Sequence, residues 1–99
     1  MLFKYGLDKV AGFGFTVALR GRSNLVYSEL WRHVVVAIEP LLNPSRMFVY
    51  SSTINHWRFG FGLRLKLNRI GPRSRKRVVK RIGRALERMS ITHEFEEQL

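Results

Sequence analysis

The sequence predicts an α+β domain: a small two-layer sandwich of order β-α-β-β-α, with room for a short last strand, its helices lying on one face of an antiparallel sheet. Two stretches of strict two-residue alternation and two of helical spacing carry that prediction. The order is compatible with a ferredoxin-like arrangement. Ninety-nine residues make one domain, 1–99, large enough to bury a core. With 45% apolar residues the chain is too hydrophobic for a disordered basic tail.

The first strand is expected at residues 13–19, where Phe13, Phe15, Val17 and Leu19 alternate with Gly14, Thr16 and Ala18. A turn at residues 21–24 follows, and Ser23 or Asn24 could cap a helix. Val26, Tyr27, Leu30, Trp31, Val34, Val35, Ile38 and Leu41 recur at helical spacing, with Pro40 near the end as a stop. Residues 42–45 contain Asn43-Pro44-Ser45 and mark a loop. Residues 47–50 are prone to form a strand, and residues 53–56 read as a hairpin turn. Trp57, Phe59, Phe61, Leu63, Leu65 and Leu67 then alternate with Arg58, Gly60, Gly62, Arg64, Lys66 and Asn68. That pattern predicts one long strand with an apolar face and a basic face. After a loop at 68–74, Val78, Val79, Ile82, Leu86 and Met89 predict a second helix. Ile91, His93 and Phe95 alternate weakly ahead of an acidic tail, residues 94–99, expected to be frayed, the alternative being that Glu94 to Glu97 fold back onto the basic helix as an internal mimic of its ligand.

The charge is distributed unevenly. Residues 58–88 hold twelve Lys/Arg and one acid, Glu87, a net of +11. Elsewhere six bases are cancelled by six acids. A local excess of this size points to a polyanion as partner. Arg outnumbers Lys thirteen to five. Arg grips phosphate with two parallel hydrogen bonds and stacks on bases, so the bias leans toward RNA, with DNA offering the same phosphate charge. The strand-loop-helix segment 58–88 supplies the candidate contacts: Arg58, Arg64 and Lys66 on the strand, Arg69 and Arg73 in the loop, then Arg75, Lys76, Arg77, Lys80, Arg81, Arg84 and Arg88. Arg77, Lys80, Arg81, Arg84 and Arg88 recur at three- and four-residue steps and would form one stripe. Like charges at that spacing repel one another, and a bound anion would relieve the repulsion.

Residues 58–63, Arg-Phe-Gly-Phe-Gly-Leu, superficially resemble the aromatic signature of RNA-recognition motifs. The register does not carry it over. In that motif the aromatics face RNA and the interleaved residues build the core, whereas here the interleaved residues are Arg and Gly. Phe59 and Phe61 are therefore expected in the core.

Other chemistry finds little support. Cysteine is absent, which removes disulfides and thiolate metal sites. His33, His56 and His93 are scattered without metal-ligand spacing, and no metal or other cofactor is expected. The longest unbroken apolar run, residues 34–38, is far too short to cross a membrane. The stretch after Lys4 and Lys9 is a weak imitation of a secretory signal, interrupted by Asp8 and Thr16, so an intracellular protein is expected. The leading expectation is a non-enzymatic RNA-binding component of a ribonucleoprotein such as a ribosome, in contact with RNA and with other proteins of the particle. Two alternatives are a phage or viral accessory protein that docks its basic patch on an acidic protein, and a small toxin-like ribonuclease using His56.

Overall fold

The computed structural model describes residues 3–5, 9–12, 14–41, 46–59 and 66–96, with the backbone alone at 3–5 and 66. Among these residues the chain forms β1 (Phe3–Tyr5), β2 (Lys9–Gly12), β3 (Phe15–Arg20), β4 (Asn24–Glu29), β5 (Arg32–Leu41) and β6 (Arg46–Val49). A single 3-10 turn, Ser51–Thr53, leads to β7 (His56–Phe59) and β8 (Lys66–Arg69). The helix α1 (Pro72–Arg88) and the strand β9 (Thr92–Phe95) complete it. The strands join in one strongly curled mixed sheet, a half-barrel, of order β1-β2-β3-β4-β5-β6-β9, with β7 also on β5 and β8 on β7.

This overturns the expected two-layer α+β sandwich and its ferredoxin-like arrangement: the described residues hold one α-helix, not two. The difference lies in residues 24–41, which form an antiparallel hairpin, β4 on β5, and not a helix. The region is apolar on both faces of its strands, so adjacent apolar pairs mimic helical spacing. In β5, Val34, Val36 and Ile38 are buried at two-residue intervals. In β4, Leu25 and Tyr27 enter the core, while Val26 is buried on the opposite face, outside the main cluster. The β-branched run 34–36 favours a strand as well. Pro40 does not break β5. It pairs with Met47 of β6, beyond the last residue that β4 pairs, Ala37, so its missing N–H removes no bond to β4.

The ten-residue β5 also causes the curl. Along one edge it pairs with β4; along the other, its start (Arg32, His33) pairs with β7 and its end (Ile38 to Leu41) with β6. The 3-10 turn plugs the gap between those two partners. The Ala37 N–H donates to Thr53 Oγ1 at 3.0 Å, and the Thr53 hydroxyl donates to the Tyr50 carbonyl at 2.6 Å. Residues 53–56 are thus part of a bridging connection and not a hairpin turn between sequential partners.

The expected single strand over 57–67 is two strands. β7 and β8 run antiparallel, with Trp57 opposite Asn68, Arg58 opposite Leu67 and Phe59 opposite Lys66. Reversal of the chain changes the phase of the alternation. Trp57 is buried and Phe59 packs against the core, but Leu67 shares a face with Arg58 and is 58% exposed. Phe61, Leu63, Arg64 and Leu65 lie outside the described residues.

Other expectations hold. In β3, Phe15 and Val17 are buried and Leu19 packs on the core, whereas Phe13 lies outside the described residues. Val78, Ile82 and Leu86 of α1 and Met89 at its C-cap are buried, and they join Tyr27, Val36 and Ile54 in one core cluster. The helix begins inside the expected loop, with Pro72 in its first turn, where a missing N–H and a preset φ cost nothing. Residues 92–95 form a strand parallel to β6, and the Glu96 N–H reaches the Val49 carbonyl at 2.9 Å. The start of the acidic tail, expected to be frayed, is instead built into the sheet, because its backbone completes the ladder along β6.

Candidate nucleic-acid interface

Eight of the candidate bases lie on α1, and burial sorts them into two sets. The buried face, Val78, Ile82, Ala85 and Leu86, fixes the rotation of the helix against the sheet. Directly opposite, Arg73, Lys76, Lys80, Arg84 and Arg88 are exposed. Lys76, Lys80, Arg84 and Arg88 step by four residues, about 6 Å of rise each. Among the described residues, none of these five takes part in an ion pair. The first turn contains no acid, so Arg73 and Arg75 face the positive end of the helix dipole, which disfavours them unless an anion is near.

Arg75, Arg77 and Arg81 occupy the flanks of α1 and are engaged by the protein itself. Arg75 Nε donates to the Ile54 carbonyl at 3.0 Å. Arg77 donates to both Glu29 carboxylate oxygens, at 2.9 and 3.1 Å. Arg81 donates to the Tyr27 hydroxyl at 3.0 Å and lies 4.8 Å above the Phe15 ring. The stripe expected from spacing alone therefore loses Arg77 and Arg81 and gains Arg73 and Lys76.

The partner of Arg77 is the strongest electrostatic feature of the interior. Glu29 follows Leu25 and Tyr27 on the inward face of β4 and is only 8% exposed. It accepts from Arg77, from Arg32 at 3.3 Å and from the Tyr27 hydroxyl at 3.2 Å. Arg32 in turn lies 4.2 Å over the Trp57 ring. Burial pushes the Glu29 carboxyl up, but the guanidiniums of Arg77 and Arg32 outweigh it and hold the group below the ordinary carboxylate range. Burial, followed by the Glu29 charge, raises the Tyr27 phenol against the pull of Arg81. The hydrogen bond to Glu29 raises Arg77. Two guanidiniums on one carboxylate leave a local excess of positive charge, and the Nε groups of Arg32 and Arg77 are buried without a partner.

Three other candidates sit on or beside the hairpin β7–β8. Trp57 points into the core, so Arg58 points to the opposite sheet face, away from α1, and it is exposed. Arg69 is exposed opposite His56 at the end of β8, and it joins Ile70, Gly71, Pro72, Arg75 and Lys76 around an open cleft leading to α1. Lys66 occupies the register position opposite Phe59. Arg64 lies outside the described residues. Arg58 and the helix stripe therefore belong to two basic surfaces and not to one continuous track.

His56 is exposed, with Nδ1 3.2 Å from Asn55 Oδ1. His33 neighbours Arg58, and burial followed by the charges of Arg58 and Arg20 lowers its affinity for a proton. No cluster of metal-binding side chains occurs among the described residues. Among them, too, no helix is long and apolar enough to cross a membrane.

The sequence reading missed Glu29, Arg32 and Tyr27 as partners of the basic helix. Only the strand phase of β4 could have revealed them, because it places Tyr27 and Glu29 on one face. No protein-family model, curated protein or solved structure matches this chain.

Proposed function

We propose that this protein is a non-catalytic RNA-binding component of a ribonucleoprotein and that the exposed stripe of α1 is its phosphate-binding surface. The observation that carries the reading is the sorting of cations on that helix. Arg73, Lys76, Lys80, Arg84 and Arg88 point outward without acidic partners among the described residues, while the flanking Arg side chains are consumed by the fold. Solvated helix faces normally interleave acids with bases; here Glu87 alone does so. Recognition is electrostatic and depends little on base sequence. Arg69, at the cleft before the helix, extends the surface toward β8.

The test is RNA binding measured against salt. If about six phosphates of a single strand are engaged, log affinity falls with log salt at a slope of roughly −4. Lys76→Gln, Lys80→Gln and Arg84→Gln together should flatten the slope by about 2 and weaken binding on every sequence. An unchanged slope would remove the helix from the interface. Conversion of the RNA to shorter products, abolished by His56→Ala, would replace the proposal with a ribonuclease. A nuclease-resistant complex with an acidic protein from native lysate, with no RNA recovered, would make the stripe a protein-docking surface.

A further inference from the structure

The two-residue turn between β4 and β5 is unusual in both conformation and chemistry. Glu29 pairs with Arg32, leaving Leu30 and Trp31 as the entire loop. Such loops need a positive φ and normally place Gly, Asn or Asp there. Leu30 has φ +53° instead, a conformation that costs a branched side chain about 1 kcal/mol or more. No burial compensates, since Leu30 is 73% and Trp31 76% exposed. Single exposed apolar residues are ordinary, but two adjacent ones on a strained tip are not.

The tip also lies where the two basic surfaces approach each other. Glu29, immediately before it, is bonded to Arg77 on the helix side. His33, two residues after Trp31, pairs with Arg58 on the opposite sheet face. Arg77 is itself engaged by Glu29 but follows Lys76 of the exposed stripe directly, so Trp31 is within two residues of contacts to the flank of α1 on one side and to Arg58 on the other.

We infer that Trp31 is a stacking platform for an unpaired base of single-stranded RNA, held at the rim between the α1 phosphate surface and Arg58. The inference rests on the RNA-binding reading above and adds to it a base contact that phosphate binding does not require. An exposed indole at a hairpin tip, between the α1 side of the sheet and the face that carries Arg58, meets the chemistry of a base whose phosphates are held nearby. The exposed bases of the two surfaces, Arg58 and the α1 stripe, favour this polyanion over a neutral apolar pocket.

The chain has two tryptophans, and Trp57 is buried, so Trp57→Phe leaves Trp31 as the sole emitter. Titration of that variant with an oligouridine strand should quench its emission saturably. In the otherwise unaltered chain, Trp31→Ala should weaken oligouridine binding about tenfold, Trp31→Phe much less, and neither should alter the salt slope. This comparison does not depend on the Trp57 variant folding, and an exposed Trp31 can be removed without touching the core. Equal binding by Trp31→Ala, while the triple Gln variant of α1 loses affinity, would overturn the stacking assignment and leave the RNA reading standing. Failure of the unaltered chain to bind RNA at all would overturn both. A blue shift of Trp31 on phosphatidylserine vesicles, with no response to RNA, would make the tip a membrane contact and overturn the assignment.

Discussion

Arg77 on α1 and Glu29 at the end of β4 stand 48 residues apart in the chain and share two hydrogen bonds, at 2.9 and 3.1 Å. This pair fastens the only helix of the described fold to the sheet near the β4–β5 turn. Through Arg32 and Tyr27 it also ties in β5 and, by way of Arg81, the next turn of the helix. A cation predicted to face a ligand is thus structural.

Replacing Glu29 by Gln should destabilise the protein by about 1–3 kcal/mol. Removing one partner of a fully buried pair costs more, about 3–5 kcal/mol, but the Arg77 side chain is 36% exposed and solvent screens part of the loss. Chemical denaturation at neutral pH measures it. No change would mean that the bridge is replaced by water without cost.

The same pair dictates a pH dependence. The folded Glu29 carboxyl titrates below its ordinary value of 4.5, so the unfolded chain takes up the proton first as the pH falls. Its stabilisation is complete above the ordinary value and is lost as pH drops through the folded value. The stability gap between the unaltered chain and Glu29→Gln should accordingly hold steady at neutral pH and narrow below 4.5. A gap that widened in acid would contradict the sign of the shift.

Leu30→Gly should stabilise the fold by roughly 0.5–1 kcal/mol, because glycine adopts the positive φ without strain and little burial is lost. Thermal unfolding reads this directly. Destabilisation would show that the Leu30 side chain supports the hairpin.

Gly83→Ala should also stabilise, by up to about 1 kcal/mol, as a helix-interior glycine gains helix propensity. The added Cβ would meet His93 Nε2 at 3.5 Å and Phe95 Cε2 at 3.6 Å, ordinary contacts that require no movement of β9. A loss of stability would reveal that α1 and β9 are packed more tightly than those distances imply.

What was legible locally was the amphipathic helix α1, whose core positions recur every three or four residues, and the inward face of β3. The confinement of net charge to residues 58–88 was legible in the same way. Patterns of this kind need no knowledge of neighbours. Three other features did not yield. Residues 24–41 carry apolar side chains on both faces, Val26 and Val35 among those on the outer one, so hydrophobicity alone has no single period to choose between helix and strand. The alternation over 57–67 continued across a chain reversal and concealed the change of face at Leu67. The division of the helix cations into exposed and engaged sets depends on Glu29, Tyr27 and Ile54, which pairing brings under α1 from 21 to 54 residues away. By itself, then, the sequence determined that a basic helix would cover a hydrophobic core, because periodicity and charge are local properties. Only the tertiary structure decided which cations of α1 are engaged and which stay exposed, and that Trp31 is exposed at a hairpin tip, because partners so distant in the chain meet only when the sheet curls.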